Sequence, residues 1–486
     1  MLDTTCACSA RARMLAAFFL ALIAATGTTQ ARESIDFAEE INTIARSEGV
    51  MPTLAIGSID AIALRQRDAF HAKQSGDQRK DLRVAEGFAV DIDADRDGVW
   101  LDFDDGSRSW MLSIEVPGAT ELHLGFERFA LPQGASLTLI PERDKRGAAS
   151  YAGNDTGTLW PALLPGDVAT LVLWLPKGAT WTPGALHLGY VGAGYRHLFD
   201  TNEDLSLKSS GDECLVDVVC PIGESYSDPA RAVARYTYRR NGFTYLCTGS
   251  MIANTANDLR PLLLTAHHCV TDATVAATVV LYFNYQSAMC GDRQDSLPAA
   301  HTGGAVLRAT RADVDTSLLE LSQVPAQSLR VYYAGWDRSG EVPVGSIGID
   351  HPLGRVKSIV ENAAPLHTTN SCIMSGTQST HWRTSAYVQG VTRPGSSGSM
   401  LLVPDGDASG GGGLVTGVLS GGSSACSGSM PNQYGDCYGK LAQAWDGPDS
   451  GSRLRDWLDP LDLAPLRLQG REGPRPLDIL NSGFES

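Results

Sequence analysis

The stretch LTAHHC at residues 264–269 is the most informative part of this sequence. It places a His beside a Cys, directly after an apolar run typical of a β-strand. A second stretch, PGSSGS at 394–399, is a Gly-rich turn that exposes a Ser. Acyl transfer at neutral pH needs a hydroxyl with a base to take its proton, and backbone N–H groups aimed at the developing oxyanion. His268 and Ser397 are candidates for the base and the hydroxyl, and the glycines leave the N–H groups of the turn unobstructed.

A candidate acid lies between these two stretches, in DTSLLEL, which begins at Asp315. An acid before an apolar strand can place a buried carboxylate behind the His, where it fixes the tautomer and stabilises the imidazolium. The order His268, Asp315, Ser397 is that of chymotrypsin-type proteins, whereas α/β-hydrolases run Ser, acid, His. A Gly/Ser-rich turn alone is more often an ordinary loop. Three elements in this order, with Cys269 beside the His, favour a nucleophilic site.

Composition limits the range of functions. The 486 residues correspond to about three domains by length, and 43% of them are apolar, which suits folded, core-forming chains. The net charge of −16 argues against nucleic acid as a partner, because a phosphate-binding surface needs an excess of Lys and Arg. Protein and peptide substrates are compatible with this composition.

The N-terminus has the features of an export signal. Arg11 and Arg13 precede the apolar run MLAAFFLALIAA at 14–25, and the small-residue segment TGTTQA ends at Ala31. The apolar run is too short to span a bilayer, so we predict a signal peptide at 1–31, a secreted protein and no membrane anchor. A buried helix is the alternative.

The cysteines divide the chain. There are ten; Cys6 and Cys8 leave with the signal peptide, and the other eight all lie between Cys214 and Cys437. An even number in an exported region predicts disulfides, and the absence of Cys from 32–213 marks a domain boundary near residue 209. No Cys/His spacing is typical of zinc, so we expect no metal and no cofactor.

Short apolar segments separated by Gly/Pro turns run through both parts of the chain. In residues 32–208 they predict a β-rich, sandwich-like unit, which we interpret as a propeptide. In residues 209–464 they predict a second all-β domain, and SRLRDWLDP at 452–460 predicts a short helix near its end. Residues 465–486 are interpreted as a C-terminal tail.

With these residues in view, the chain resembles the bacterial lysyl endopeptidases, which are secreted chymotrypsin-like serine proteases made as preproproteins. The resemblance covers roughly residues 212–464. It rests on seven motifs in order: DVVCP at 217–221, CTGS at 247–250, NTAND at 254–258, LTAHHC at 264–269, AGWDR at 334–338, PGSSGS at 394–399 and SRLRDWLDP at 452–460. It implies an all-β fold of two six-stranded barrels with the active site between them.

The resemblance also implies a role for each site residue. His268 is general base and acid, Asp315 orients it, and Ser397 is the nucleophile. The N–H groups of Gly395 and Ser397 form the oxyanion hole. Ser396 stands before the nucleophile in place of the Asp that receives a new N-terminus in vertebrate digestive proteases, so activation is not expected to use that ion pair.

Substrate specificity is expected to depend on the segment GDCYGK at 435–440. The family's specificity Asp aligns with Asp436, and Ser420 and Gly421 border the substrate. A buried carboxylate pairs with a cationic side chain, and an apolar side chain would leave it uncompensated. The alternative for Asp436 is a solvated turn acid. Ser420 replaces a family His and Cys372 lies near the position of a family Trp, which puts strict Lys preference in doubt.

The family pattern further implies the disulfides Cys214–Cys426, Cys220–Cys290 and Cys247–Cys269. Cys372 and Cys437 have no counterparts in that pattern. We predict that they pair with each other beside Asp436; two free buried thiols are the alternative.

Together these expectations describe a secreted serine endopeptidase that cleaves after Lys, with Arg as a second candidate, through an acyl-enzyme. We expect a monomer that removes its own propeptide by cleavage at Lys208 and therefore begins at Ser209. Two alternatives stay open. One is a catalytically silent homologue that acts as a binding protein, and the other is an N-terminal region that serves as a carbohydrate- or surface-binding module.

Overall fold

The computed structural model describes residues 27–76, 78–153, 157–198, 213–291, 299–301, 303–370, 372–373, 379–404 and 412–473. The chain forms two compact units. The first unit contains residues up to Gln66 and Ala85–His197, and the second contains Arg67–Val84 and the residues from Leu198 onward. Residues 67–84 therefore belong to the second unit, although they precede most of the first unit in sequence.

In the first part of the chain, the described residues form two α-helices and ten strands. In chain order they are α1 (Gly27–Ser47), β1 (Thr53–Ala55), α2 (Ala61–Ser75), β2 (Leu82–Asp93), β3 (Val99–Asp102), β4 (Arg108–Glu115), β5 (Glu121–Phe129), β6 (Ser136–Pro141), β7 (Ala149–Ala152), β8 (Leu164–Pro165), β9 (Val168–Leu175) and β10 (Leu186–Gly194). The boundaries between the units fall inside α2 and β2.

The first unit is a β-sandwich, as predicted. One sheet has the order β1-β4-β9-β6-β7 with β3 on β4, and the other has the order β2-β10-β5-β8. Leu112 and Leu171 from the first sheet share one buried core with Leu124 and Val191 from the second. The face-to-face burial of alternating apolar residues is what holds such sheets together.

The sequence analysis missed the helices of this unit. On α1, Ala38, Ile41 and Ala45 are buried together against Met111, Ile140 and Val172. Their spacing of three and four residues puts them on one face of a helix, and this periodicity in the sequence could have revealed α1. The prediction of a purely β-rich region at 32–208 was therefore incomplete.

The second unit is mostly β-structure. Its strands are β11 (Val216–Asp217), β12 (Val233–Arg240), β13 (Phe243–Met251), β14 (Leu262–Thr265), β15 (Val280–Phe283), β16 (Ala299–His301), β17 (Ala305–Arg311), β18 (Thr316–Leu321), β19 (Tyr332–Tyr333), β20 (Trp336–Asp337), β21 (Ser346–Asp350), β22 (Ser358–Asn362), β23 (His367–Thr369), β24 (His381–Arg383), β25 (Met400–Val403), β26 (Leu414–Gly422), β27 (Cys426–Ser427), β28 (Met430–Pro431), β29 (Asp436–Lys440), β30 (Arg467–Leu468) and β31 (Arg471–Glu472). Its helices are α3 (Ser227–Ala232), α4 (Ala273–Ala276), α5 (Leu441–Ala444) and α6 (Arg455–Leu458).

Two sheets organise these strands. The first has the order β16-β15-β12-β13, with β14 bridging β13 and β18, and β17 on β18. The second has the order β11-β22-β21-β25-β26-β29-β24-β23, with β20 on β26. A core that includes Tyr236 and Leu263 from the first sheet and Met400 and Val415 from the second is fully or almost fully buried. The predicted all-β class is confirmed.

The end of the second unit differs from the prediction. The expected helix is present as α6, but the segment interpreted as a tail from residue 465 begins inside the fold. β30 pairs with β20, β31 pairs with β19, and Arg467 forms an ion pair with Asp337 at 2.8 Å. These short strands gave no periodicity long enough to be recognised in the sequence. Within the described residues, no helix combines the length and the hydropathy that crossing a bilayer requires.

The described residues contain four disulfides, all in the second unit. They join Cys214 to Cys426, Cys220 to Cys290, Cys247 to Cys269, and Cys372 to Cys437. A disulfide stabilises mainly by restricting the unfolded chain. The first pair spans 212 residues and so links the start of this unit to the region after β26.

Candidate active site

His268 and Asp315 lie next to neighbouring strands, β14 and β18, in the first sheet of the second unit. β14 ends at Thr265, three residues before His268, and it pairs with β18, which begins directly after Asp315. Asp315 has a φ of 53°, a left-handed conformation that Asp tolerates better than most residues. Cys269 is bonded to Cys247 on β13, which fixes the backbone beside His268. The strand pairing thus brings the two side chains to one place.

Ser397 completes a chain of three hydrogen-bonded side chains. Nε2 of His268 lies 2.7 Å from Oγ of Ser397, and Nδ1 of His268 lies 2.8 Å from Oδ2 of Asp315. The backbone N–H of His268 also donates to Oδ1 of Asp315 at 2.9 Å, so the carboxylate holds both the ring and the backbone of the His. A hydroxyl, a base and an acid in this geometry can perform nucleophilic acyl transfer.

The electrostatics of His268 suit a general base. Burial lowers the pKa of its imidazole, but the charge of Asp315 and the hydrogen bond to it more than compensate. The net result is a pKa above the ordinary value, because the carboxylate stabilises the imidazolium. A His with this pKa binds the proton of the attacking hydroxyl more strongly than an ordinary His does.

The turn that carries Ser397 directs two backbone donors at one oxygen. Gly395 has a φ of 102°, and a Cβ there would lie 2.8 Å from the carbonyl oxygen of His351, so only Gly fits. The N–H of Ser397 donates to the carbonyl oxygen of Lys80 at 3.2 Å, and the N–H of Gly395 donates to the same oxygen. These are the two donors predicted for the oxyanion hole, and they converge on a carbonyl of the chain's own residues 67–84.

Asp436 is surrounded by Thr392, Ser424 and Tyr387, and these buried surroundings are called the Asp436 pocket below. It is fully buried at the start of β29, which excludes the alternative of a solvated turn acid. Its Oδ2 accepts hydrogen bonds from the hydroxyls of Thr392 at 2.7 Å, Ser424 at 2.5 Å and Tyr387 at 3.1 Å. Its Oδ1 accepts from the N–H of Ser424 at 3.1 Å. The carboxylate of Asp436 thus accepts four hydrogen bonds within the fold.

The ammonium group of Lys80 occupies this pocket. Nζ donates to the carbonyl oxygen of Ser424 at 3.1 Å and to that of Thr392 at 3.5 Å, two residues that also bind Asp436. Burial lowers the pKa of Lys80, and the charge of Asp436 acts in the opposite direction. The pocket therefore contains a cation, backbone acceptors for it and a buried counter-charge.

Gly421 and Gly422, at the end of β26, bind the backbone of the two residues that precede Lys80. Gly421 forms an antiparallel bridge with Arg79, and the N–H of Gly422 donates to the carbonyl oxygen of Gln78 at 2.9 Å. Ser420, also predicted to border the substrate, has its hydroxyl 3.1 Å from Nε2 of His381. The edge of β26 thus holds an extended peptide by β-type pairing.

Asp350 is a second buried acid that acts on this pocket. It is fully buried at the end of β21, and among the described residues its carboxylate oxygens have no hydrogen-bond partner. Burial, with the repulsive charge of Asp436, raises the pKa of Asp350 to about 7, although the nearby Ser396 acts in the opposite direction. The charge of Asp350 also acts on Lys80.

Three predicted positions remain: Cys372, Ala31 and Lys208. Cys372, which replaces a family Trp, is bonded to Cys437, the residue after Asp436. Ala31, the predicted signal cleavage site, lies in α1, and Lys208 lies outside the described residues. The sequence analysis did not identify Thr392, Ser424, Lys80 or Asp350. Only Thr392 offered a signal, since it lies five residues before Ser397.

Among the described residues, one group of side chains is close enough together to be considered as a metal site. The ligand atoms of Cys247, His268 and Cys269 lie within 4.8 Å of one another. The two thiols are joined in a disulfide, and His268 bonds to Asp315 and Ser397. Zinc is bound by thiolates, so this group is part of the His268 site and does not form a metal centre.

Comparisons with known proteins bear on the family of this chain. The sequence profile of the lysyl endopeptidase C-terminal domain matches residues 207–439. The lysyl endopeptidase of Pseudomonas aeruginosa is 31% identical over 359 residues, which cover 70% of this chain and 74% of that protein.

Two solved structures are also similar. The thermostable serine protease AL20 from an extremophilic microorganism covers 44% of this chain and 91% of its own, at 15% identity and a TM-score of 0.30. The protease Anisep from Arthrobacter nicotinovorans covers 43% of this chain and 92% of its own, at 15% identity and a TM-score of 0.30. On the sequence match to the Pseudomonas protein, this chain belongs to the lysyl endopeptidase family of serine endopeptidases.

Proposed function

We propose that this chain is a secreted endopeptidase that hydrolyses peptide bonds after Lys, with Ser397 as nucleophile, His268 as general base and acid, and Asp315 as the group that orients His268. The observation that carries the proposal is the Ser397–His268–Asp315 hydrogen-bond chain, with distances of 2.7 and 2.8 Å, beside two N–H donors that share one carbonyl oxygen. A silent homologue would have no need of this geometry.

The proposed reaction follows from these contacts. His268 takes the proton of Ser397 as Oγ attacks the substrate carbonyl carbon. The negative charge that develops on the carbonyl oxygen is stabilised by the N–H groups of Gly395 and Ser397. His268 then gives its proton to the departing amine, and water hydrolyses the acyl-enzyme by the reverse sequence.

Asp436 is proposed to select the cationic side chain before the scissile bond. It is fully buried, so an apolar side chain in the pocket would leave its charge without a partner. Because Ser420 and the disulfide-bonded Cys372 stand in place of the family's His and Trp, we expect weaker discrimination of Lys from Arg than in the Lys-strict relatives. Cleavage profiling of a peptide library with Lys and Arg at this position measures the ratio. A ratio as high as theirs would contradict the expectation.

The decisive experiment is the Ser397→Ala substitution. We expect kcat on a Lys peptide to fall by about 10⁶, with residual catalysis from the oxyanion hole and binding. Ser399→Ala is the matched control, because Ser399 is equally buried and its hydroxyl has no hydrogen-bond partner among the described residues. Retention of a tenth of the wild-type rate by Ser397→Ala would refute the assignment, as would an equal loss in the control.

Maturation is proposed to be self-catalysed at Lys208. The stretch SLKSSGDEC places this Lys shortly before Cys214, and its polar residues suit a cleavable linker. Cys214 is bonded to Cys426, which would anchor the new N-terminus covalently. N-terminal sequencing of the secreted enzyme should give Ser209, and Ser397→Ala should accumulate uncut where other proteases are absent. A start well before residue 200 would contradict this proposal.

A further inference from the structure

The segment Gln78–Asp81 lies in the active site in the manner of a bound substrate. The N–H groups of Gly395 and Ser397 both donate to the carbonyl oxygen of Lys80. The N–H of Lys80 donates in turn to Oγ of Ser397 at 2.9 Å. The carbonyl group between Lys80 and Asp81 is therefore held by the oxyanion-hole donors, next to the proposed nucleophile.

Contacts on the N-terminal side of this carbonyl agree with a substrate. Nζ of Lys80 enters the Asp436 pocket, and Lys80 is only 6% exposed. The residues before it pair with the end of β26, through the Arg79–Gly421 bridge and the Gln78–Gly422 hydrogen bond. One continuous segment thus fills the side-chain pocket, pairs with the backbone of β26 and places its carbonyl group at the oxyanion-hole donors.

Asp81, on the C-terminal side, is also held. Its Oδ2 lies 2.7 Å from Nη2 of Arg240, and both side chains are mostly buried. Arg240 also donates to the carbonyl oxygen of His268. The residue after the carbonyl is therefore fixed to the backbone of the proposed base, so both sides of the Lys80–Asp81 bond are anchored.

From this arrangement we propose that Lys80–Asp81 is a cleavage site for this protease in its own chain, cut within the molecule before the propeptide is released. The inference rests on the proposed function, because it needs Ser397 to be a nucleophile and the Asp436 pocket to accept Lys. It assigns a second processing site, distinct from Lys208.

The chemistry is that of ordinary peptide hydrolysis. Oγ of Ser397 bonds to the carbonyl carbon of Lys80 and its proton passes to His268. The C–N bond to Asp81 breaks, and His268 protonates the α-amino group that Asp81 gains. Water then attacks the Lys80 ester, which leaves a carboxylate at Lys80 and restores Ser397. Water is the only co-reactant required.

The same contacts make the uncut segment an internal block. Ser397 and Asp436 are fully buried and His268 is 6% exposed with the segment in place. A second protein chain cannot occupy the oxyanion hole and the pocket while Lys80 is in them. Cleavage of the bound segment should therefore be intramolecular, and activity on other substrates should appear only after it.

The test is a time course on the full chain, synthesised in a cell-free, oxidising system that contains no other protease. Intact mass spectrometry should show a fragment that ends at Lys80 and one that begins at Asp81 before any fragment that begins at Ser209. The rate constant should not change on dilution, since the reaction is unimolecular. First fragments cut elsewhere, with Lys80–Asp81 intact, would overturn the proposal, and so would a rate proportional to concentration.

Lys80→Ala should abolish this cut and delay the appearance of activity. Lys73→Ala is the matched control, because Lys73 is an exposed Lys on α2, seven residues earlier. To show that Lys80→Ala folds, its propeptide is removed with added wild-type enzyme and the product is assayed on a Lys peptide, where wild-type activity is expected. Processing of Lys80→Ala at the wild-type rate would refute the inference.

The same assay separates the two hypotheses. If processed enzyme cleaves Lys peptides but never cuts Lys80–Asp81 in its own chain, the inference fails and the proposed function stands. If processed enzyme cleaves no Lys peptide, the proposed function fails as well.

Discussion

Asp436 and Asp350 are two fully buried carboxyl groups that both act electrostatically on the ammonium of Lys80, yet their surroundings are opposite. Asp436 accepts four hydrogen bonds, from three hydroxyls and one N–H. The carboxylate oxygens of Asp350 accept none from the described residues, and its pKa is raised to about 7.

The comparison shows how two equally buried acids near one ammonium can differ in their hydrogen bonding. Hydrogen bonds to a carboxylate stabilise its ionised form, whereas burial without them stabilises the neutral form. Asp350, which lacks such bonds, is neutral below a pH of about 7. Two acids of the same residue type thus differ because of the groups that surround them.

The largest effect is expected from Asp436→Asn. Removal of the buried counter-charge should lower kcat/KM for Lys peptides, because the substrate cation is then desolvated without compensation. The expected loss of transition-state stabilisation is about 2–5 kcal/mol. Peptides with an apolar residue before the scissile bond should lose far less. Steady-state kinetics on matched peptides measure both, and thermal unfolding checks the fold.

Asp350→Asn is the matched control, since it is the same substitution in an equally buried acid near the same ammonium. At a pH of about 6 the carboxyl of Asp350 is mostly protonated, so kcat/KM for Lys peptides should change little. Equal losses in the two variants would mean that the pocket does not distinguish the two acids. Equal losses of Asp436→Asn on Lys and apolar peptides would make Asp436 structural.

A second, smaller effect concerns stability and pH. The pKa of Asp350 is about 7 in the folded protein, above the value of about 3.9 expected in the unfolded chain. Between these values the folded state binds more protons, so its stability falls as pH rises, by up to about 1.4 kcal/mol per pH unit from this group. Asp350→Asn should lose this dependence.

Urea unfolding of the uncut Ser397→Ala chain, over a pH range of about 4 to 8, provides the measurement, because that variant cannot digest itself. The same chain with the additional Asp350→Asn substitution is unfolded in parallel. The difference in unfolding free energy between the two chains is taken at each pH, so that other titrating groups cancel. A constant difference across this range would show that Asp350 does not titrate there.

The sequence was sufficient to predict the parts of the site that depend on local motifs. His268 and Ser397 lie in turns whose neighbouring Cys and Gly residues have direct structural roles, and Asp315 directly precedes a strand that pairs with β14. The strand-rich pattern likewise predicted the sandwich and the all-β second unit. In these cases a few adjacent residues carry both the structure and the chemistry.

The rest depends on contacts between residues distant in sequence. Lys80 lies 317 residues before Ser397, and no motif around it indicates that it enters the pocket. Asp350 is one acid among 55 Asp and Glu residues, and its pKa is raised by its burial and by the charge of Asp436, both of which arise only in the folded chain. Tertiary structure decides both properties, so sequence patterns could not predict them.

A third acid, Asp81, extends the comparison, because it is held by a cation instead of hydroxyls. Its partner is Arg240 on β12, whose Nη2 lies 2.7 Å from Oδ2 of Asp81. If Arg240 acts in the same way on other substrates, the enzyme should favour an acidic residue directly after the scissile bond. The preference should be small, because the cost of taking both charges out of water offsets much of their attraction.

The smallest predicted effect is therefore a shift in preference caused by Arg240→Ala. Processed wild-type enzyme should cleave Lys–Asp peptides faster than Lys–Ala peptides, and Arg240→Ala should reduce the ratio of the two rates by about 2–5-fold. The ratio is the correct measurement, because Arg240 also donates to the carbonyl oxygen of His268 and its loss can slow both reactions.

Arg239→Ala, one residue earlier on β12, is the control and should leave the ratio unchanged. Added salt should lower the wild-type ratio only slightly, since salt screens mostly buried charges weakly. A wild-type ratio of one, or a ratio that Arg240→Ala leaves unaltered, would show that the contact with Asp81 belongs to the internal segment alone.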